Sequence, residues 1–445
     1  MSGSSVSVRI FILMIAAGFL VRLAALTAPG TGDVQAWKTW AYNAATGRVS
    51  QLYGVGATAG GDTEYRLLRF GDLESVVDYP PLVLYELGAA ARPYGWLAGS
   101  IENGPAFTCF VKAVPVAFEA ALTALLFVTL RRTGGDGVAR WASAAYWLNP
   151  AAIVNASFGG YLDALFVLPA VAALVAAASG WSALAGGLIA AAMLTKPQGV
   201  FILPAVAIAV WNAGAADRRW ARLTLAMAGA AVVTAAVVVP FVAAGAWWNM
   251  LHGIAAQANE PYVSAEGYNF WWIAGHALWV AYAWHRGLDA WNVFTAPVAR
   301  VPFVRAAVHG LPWLRAAASV MALGGIAWGV WIGRRARDLS MAAAVGAFSV
   351  HAYAVLGAQV HENHVFAAVP LLVVAAASRK RFVPVFAGVS AFLALNMLFY
   401  MFSDEERTFV LSRSLTLLDT TLLLAVFNCA LFVWHASVLR REALA

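Results

Sequence analysis

Apolar runs of about 17 to 20 residues alternate along this chain with short basic turns, and a run near 20 is what the hydrocarbon core of a bilayer demands of one helix. Run length and turn punctuation predict about twelve membrane-crossing helices, some barely long enough. The basic turns fall at Arg131-Arg132 with Arg140, at Asp217 to Arg222, at Arg334 to Asp338, at Ser378 to Arg381 and at Arg440-Arg441. Alternating spans place all of them on the side of Arg9, the cytoplasmic side by the positive-inside rule. An even number of spans and two cytoplasmic termini follow. The first run, Ile10 to about Leu26, follows Arg9 without a small-residue cleavage site, so it is expected to stay as an uncleaved first helix.

The opposite side carries two long segments, 29–105 and 246–312, and loops of that length usually hold function. The first has apolar and aromatic residues at helical spacing (Ala36, Trp37, Trp40, Ala41; then Leu82, Leu84, Tyr85, Leu87), which predicts helices lying in the interface plane. The tryptophans of the second, Trp247-Trp248, Trp271-Trp272 and Trp291, suit the headgroup boundary. No internal repeat and no separate soluble domain is evident, so residues 1–445 read as one transmembrane domain of an all-α polytopic membrane protein. Alanine- and glycine-rich spans permit close helix packing.

Composition sharpens this picture. The chain is 62% hydrophobic and 11% charged, with a mean hydropathy of +0.72, which excludes an ordinary soluble core. The net charge of +7 does not make a nucleic-acid binder, because the arginines sit in small groups at the ends of apolar runs. Cys109 and Cys429 lie in apolar stretches, giving neither a disulfide framework nor a thiolate metal site.

The candidate chemistry lies on the external side. Asp33 follows the first span in Gly32-Asp33-Val34-Gln35-Ala36-Trp37-Lys38-Thr39-Trp40; a carboxylate against apolar and aromatic surface is desolvated and becomes a better proton acceptor. The bland alternative is a helix N-cap. Asp78-Tyr79-Pro80-Pro81-Leu82 joins an acid to a rigid double proline from which a helix can start, again with capping as the alternative. Arg66, Arg69, Asp62, Glu64, Asp72 and Glu74 upstream read as a solvated loop.

His361-Glu362-Asn363-His364 interrupts an apolar stretch at the external boundary, where polar groups facing lipid are costly and a cavity is expected instead. On a helix the two histidines would be i and i+3, so the HExxH zinc pattern fails; contact with phosphate oxygens, or support of Glu362, is more natural. Thr195-Lys196-Pro197-Gln198 forms another external turn. Its lysine is a point charge suited to phosphate, or else snorkels from a helix end. In Phe158-Gly159-Gly160-Tyr161-Leu162-Asp163 the glycines permit close backbone approach and Asp163 is a cap or a site residue. There is no phosphate-binding P-loop, kinase signature, dinucleotide fingerprint or DxD pair, so direct use of a nucleotide is not expected.

Three motifs in order, Gly32-Asp33 with Ala36, Lys38 and Trp40, then Asp78 to Leu82, then Gln359-Val360-His361-Glu362, together with Asn269-Phe270-Trp271, resemble the dolichyl-phosphate-glucose glucosyltransferases of N-glycan precursor assembly (glycosyltransferase family 57). The resemblance spans most of the chain, and Lys196-Pro197-Gln198 is similar to a turn seen more broadly in prokaryotic GT-C proteins. It implies a GT-C fold and a polyprenyl-phosphate sugar as donor. By position, Asp33 matches the catalytic base, His361 and Glu362 the motif beside the donor phosphate, and Asp78 the acid of the Pro-Pro segment. His364, Lys196 and Gln198 join the expected donor contacts, and Tyr79, Trp37, Trp40, Asn269 and Trp271 the acceptor or supporting set.

This chain departs from the pattern at Gln35, at Asn363 and in the short Asn155-Ala156-Ser157-Phe158 turn, which touches sugar and acceptor identity more than reaction type. The expectation is an inverting hexosyltransferase, glucose before mannose, acting on a lipid-linked or glycolipid acceptor as a monomer, without metal or cofactor. A transporter or lipid flippase and a GT-C enzyme with a protein acceptor are the alternatives. Few glycosylation sequons and many alanines favour a bacterial plasma membrane with an outward-facing site; an ER membrane obeys the same topology.

Overall fold

The computed structural model describes residues 7–53, 55–57, 63–65, 67–257, 264–285, 287, 313–402 and 420–445. Seven of its helices are long and apolar enough to cross a bilayer, and four shorter ones are also apolar. The chain is a helical polytopic membrane protein, built as two compact units, Met1–Asn259 and Glu260–Ala445.

The first unit contains α1 (Val8–Leu26), α2 (Asp33–Thr46), α3 (Leu82–Ala98), α4 (Pro105–Trp147), α5 (Asp163–Ala178), α6 (Ser182–Thr195), α7 (Leu203–Asn212), α8 (Arg219–Ala243) and α9 (Trp247–Gln257). The 43 residues of α4 would make a rod of about 65 Å, roughly twice the hydrocarbon thickness. Gly135, at φ 81°, breaks it inside the basic turn that charge predicted, where Arg131 pairs with Asp136 at 2.9 Å.

Two charges that lie within the apolar runs lock α1 to α4. Arg22 and Glu119, both fully buried, pair at 2.9 Å. The guanidinium also donates to the Trp147 carbonyl at 2.6 Å and stacks 3.7 Å from the Trp147 ring centre. Charges at such depth persist only when paired in this way.

The polar stretch read as a solvated loop is instead partly ordered as two antiparallel hairpins, β1 (Val55–Ala57) with β2 (Thr63–Tyr65) and β3 (Leu68–Phe70) with β4 (Leu73–Ser75). Gly71, at φ 61°, makes the second turn possible. Leu68 and Phe70 are buried on one side while Arg69 pairs with Glu74 across the exposed side at 2.9 Å, the alternation a half-buried strand requires. Phe70 stacks on Tyr42 with ring centres 4.4 Å apart, so the hairpin braces α2. Asp62 and Arg66 of that stretch lie outside the described residues, as does Trp291 of the second long segment.

Glycine decides how closely α6 and α8 approach. A Cβ on Gly186 would sit 1.8 Å from the Ala226 carbonyl oxygen, and one on Gly229 1.9 Å from that of Ala183. Backbone meets backbone here, as small-residue membrane interfaces allow. Gly186→Val is expected to lower stability by about 2 kcal/mol or more, read as a fall in the melting temperature of the detergent-solubilised protein. Gly324→Ala is the control: a Cβ there meets open space, and the melting temperature is expected to hold or rise slightly.

The second unit contains α10 (Phe270–His285), α11 (Trp313–Gly333), α12 (Leu339–Leu356), α13 (Ala368–Ser378), α14 (Phe382–Met401) and α15 (Thr420–Leu444). α12 and α13 are buried along most of their length, which accounts for their near-continuous apolar sequence.

Candidate active site

In the first unit the site is assembled around the start of α2. Lys112, from within α4, donates to three carbonyls at the end of α1, those of Ala25, Leu26 and Ala28, at 3.1, 3.2 and 2.6 Å. It replaces the partners that the last turn of a helix lacks. The chain then turns at Gly30, φ 83°, where a Cβ would lie 2.6 Å from Val34 Cγ2 and 3.0 Å from the Gly159 carbonyl. Thr31 N–H donates to that same carbonyl at 3.0 Å. These contacts fix where α2 begins, and its first residue is Asp33. The capping residue is Gly32, with no side-chain cap, so Asp33 is not the N-cap that the bland reading proposed. Its side chain is exposed rather than desolvated, contrary to the expectation from its apolar neighbours.

Trp37, Trp40 and Tyr79 form an aromatic box behind Asp33, with ring centres 4.7 to 5.5 Å apart. Trp40 Nε1 donates to Ser75 Oγ and the Val76 carbonyl at 3.1 and 3.0 Å, tying α2 to the end of the hairpin. The Trp37 indole nitrogen is buried without a hydrogen-bond partner among the described residues. The Tyr79 carbonyl accepts from the Tyr53 hydroxyl. The double proline delivers Asp78, half-buried, and α3 starts directly after the prolines, at Leu82 with Pro81 as its cap.

Lys196 and Asp163 form a second buried pair, their side chains 3% and 2% exposed. Asn155 Nδ2 donates to the other oxygen of Asp163 at 2.8 Å, and the Lys196 ammonium lies 5.6 Å from the Tyr79 ring centre. Lys196 therefore does not snorkel to water. Burial opposes its charge, but the Asp163 carboxylate prevails, aided by Tyr79 and Asp33, and holds the ammonium above its ordinary value. Burial likewise pushes the Tyr79 phenol up, with Lys196 acting the other way and Asp33, Asp78 and Asp163 adding to the rise. Tyr79 is thus within electrostatic reach of all four charges, and the structure brings together Asp33, Asp78, Tyr79, Asp163 and Lys196. Gln198 is buried beside them in sequence, in the turn Pro197–Phe201.

Glu86, on α3, was not anticipated. Thr195 Oγ1 donates to one carboxyl oxygen at 3.2 Å, while the other is buried without a hydrogen-bond partner among the described residues. Burial pushes this carboxyl up to about 8, the Thr195 hydrogen bond acting in the opposite sense. The folded state therefore holds a proton that the unfolded chain, near 4.5, gives up. That contribution to stability is whole below the unfolded value and is lost as pH rises through about 8. The melting temperature of the protein is expected to fall between pH 5 and pH 8 relative to Glu86→Gln, whose curve lacks this component; parallel curves would refute the assignment.

In the second unit the His361–His364 segment is a turn ahead of α13, not part of a helix. His361 bridges to Ala265 and Glu266, and the Val360 carbonyl accepts from Ala265 N–H and Gly267 N–H at 3.1 and 2.9 Å. Both strands of this contact carry a left-handed residue without glycine's freedom, Gln359 at φ 58° and Glu266 at φ 63°. Such strain is retained where geometry matters. Glu362, Asn363 and His364 are buried while His361 stays partly exposed. Tyr353 Oη and His364 Nδ1 are 3.0 Å apart, His361 N–H donates to His364 Nδ1 at 3.3 Å, and Glu362 lies 4.0 Å from His361 Nδ1. His364 thus shapes the turn, and His361 is the more accessible ring.

Asn269 caps α10, its side-chain Oδ1 accepting from Trp271 and Trp272 N–H at 3.0 and 3.2 Å. Its amide donates to the Ala354 and Gly357 carbonyls, and Trp271 Nε1 donates to that of Leu356 at 2.7 Å. The two residues fasten α10 to the end of α12, a supporting role. Trp271 and Trp272 are buried, unlike the boundary tryptophans the sequence suggested; Trp247 and Trp248 are exposed as expected.

No protein-family model and no curated protein matches the chain. Among solved structures, ArnT from Cupriavidus metallidurans bound to undecaprenyl phosphate aligns with a TM-score of 0.47 and 14% identity, covering 97% of this chain and 77% of that one. The archaeal oligosaccharyltransferase AglB from Archaeoglobus fulgidus, in complex with an inhibitory peptide and a dolichol-phosphate, aligns with a TM-score of 0.42 and 11% identity. It covers 97% of this chain, which spans 56% of the AglB chain. At these scores the likeness assigns neither activity nor substrate.

Proposed function

We propose that this protein is an inverting GT-C glycosyltransferase that moves a hexose, glucose before mannose, from a polyprenyl-phosphate sugar to a lipid-linked or glycolipid acceptor at the outer face of a bacterial plasma membrane. The observation that carries the reading is the placement of Asp33, exposed at the first turn of α2, within electrostatic reach of the Lys196–Asp163 pair and Tyr79. It joins an accessible carboxylate, able to take a proton, to a fixed cation.

In the proposed step Asp33 accepts the proton of an acceptor hydroxyl as that oxygen bonds to the anomeric carbon. The bond from carbon to phosphate oxygen breaks, its electron pair leaves with the polyprenyl phosphate, and configuration inverts. Polyprenyl phosphate is a stable anion at neutral pH and needs no added proton, so one base suffices. The rate gain comes from positioning and from charge complementarity to the departing phosphate. Within the first unit Lys196 and Gln198 are assigned to donor contact, and Trp37, Trp40, Tyr79 and Asp78 to support of the site or the acceptor. Within the second, the resemblance of their motif assigns donor contact to His361 and Glu362, His364 joins them as the neighbouring ring, and Asn269 and Trp271 are supporting residues.

The test is transfer by purified protein in lipid nanodiscs from synthetic short-chain polyprenyl-phosphate glucose and, separately, mannose to a membrane lipid extract. Labelled glycolipid from one donor supports the reading and names the sugar. No product from either, together with accumulation of labelled lipid on the far leaflet of proteoliposomes, replaces it with a flippase.

A further inference from the structure

Within the second unit a line of buried polar side chains crosses the apolar interior. His435 Nδ1 lies 3.1 Å from His351 Nδ1, and His351 Nε2 lies 3.1 Å from Asn428 Oδ1. Asn428 Nδ2 donates to the Tyr268 carbonyl at 3.0 Å. Asn396 meets the same segment, accepting from Tyr268 N–H at 3.0 Å and donating to the Glu266 carbonyl at 2.8 Å. All four side chains are at most 1% exposed and project from three separate helices, α12, α14 and α15. Residues 265–267 are in turn those that pair with Val360 and His361.

The direction of every bond along the line follows from its last partner. A backbone carbonyl only accepts, so the Asn428 amide must present its nitrogen to Tyr268 and its oxygen to His351. With both imidazoles neutral, His351 then carries its proton on Nε2 and has a bare Nδ1, and His435 donates from Nδ1. His435 Nε2 is left as a buried acceptor with no partner among the described residues, and the Phe348 and Phe382 rings stand against His435 with ring centres 5.3 and 6.1 Å away. With aromatic rings at that end, a fixed strut accounts for the line better than a proton path.

We infer that His351, His435 and Asn428 are positioning residues: through Asn428 and the 265–268 segment they hold the Gln359–His361 turn, strained at Gln359, in place for donor-phosphate contact. The inference rests on the reading of His361 given above, and its test separates the two. Glutamine at 351 offers both the donor and the acceptor that the line needs; leucine fills a similar volume and offers neither. In nanodiscs, His351→Leu is expected to raise hydrogen–deuterium exchange across residues 264–269 and 359–364, and to raise the donor KM about tenfold with acceptor KM unchanged. His351→Gln is expected to restore both. Nitrogen-15 spectra of histidine-labelled wild type are expected to show one Nε2–H and one Nδ1–H neutral imidazole that vanish together in a His351→Gln, His435→Gln double variant. Equal exchange in the leucine and glutamine variants, or two Nε2–H tautomers, would overturn the strut. A strut intact by exchange and spectra, with wild type inactive on both donors, would instead remove the glycosyltransferase reading.

Discussion

Asp33→Asn is expected to yield a folded membrane protein whose sugar transfer is slower by about 10²- to 10⁴-fold, the usual contribution of a general base. The fold should tolerate the change. The capping position is Gly32, with no side-chain cap, and an exposed acidic residue in the first turn of a helix contributes no more than about 1 kcal/mol through the helix dipole. The turn that places α2 is held by Thr31, Gly30 and Lys112, none of which the substitution touches. The loss should fall on kcat, with donor KM unchanged, because the carboxylate is asked to act only as the acceptor oxygen begins to attack. Single-turnover transfer from pre-bound donor is the measurement. A variant retaining more than about a tenth of wild-type turnover would take the base out of α2, and Asp78 would be the next carboxylate to change.

Much of this arrangement was legible in the sequence, for different reasons at different places. Of the roughly twelve spans expected, seven are helices of full crossing length that declared themselves by apolar run, and the break at Gly135 fell inside the basic turn at Arg131 to Arg140, where arginines mark the end of an apolar run. α2 and α3 were legible from apolar and aromatic residues at helical spacing. The hairpins were not: strands of three residues are too short for alternation to stand out from a mixed polar loop. Asn269 and Trp271 read as members of a motif, yet their hydrogen bonds show them fastening α10 to α12.

The intramembrane groups had a signal that motif reading passed over. Arg22 sits alone in the first apolar run, and Lys112 and Glu119 share another; an unpaired charge there is too costly to persist, so each announces a partner. Which partner depends on which helices touch, and one chain's composition does not contain that. The same holds for His351, Asn396, Asn428 and His435, separated by up to 84 residues between the two histidines and joined only by packing. Asp163, read as a cap or a site residue, became central because Lys196 reaches it across 33 positions.

Lys196→Met is expected to cost about 3–5 kcal/mol of stability, since removing one member of a buried pair leaves the other charge buried without that cation. Both side chains are almost fully enclosed, and the Asn155 amide is a neutral donor that cannot cancel the Asp163 charge. The double variant Lys196→Met with Asp163→Leu removes the charge together with its partner and is expected to recover most of that loss, because buried pairs are often replaceable by apolar residues of similar volume. The two variants divide the structural role of Lys196 from its proposed contact with the donor phosphate. If the lysine serves only to neutralise Asp163, the double variant melts near wild type and also regains transfer. If its ammonium stabilises the departing phosphate, the double variant regains its melting temperature while donor turnover stays low. The second outcome is the one expected, because the ammonium sits over the Tyr79 ring with the Asp33 charge in reach, a placement that a purely internal counterion to Asp163 would not require.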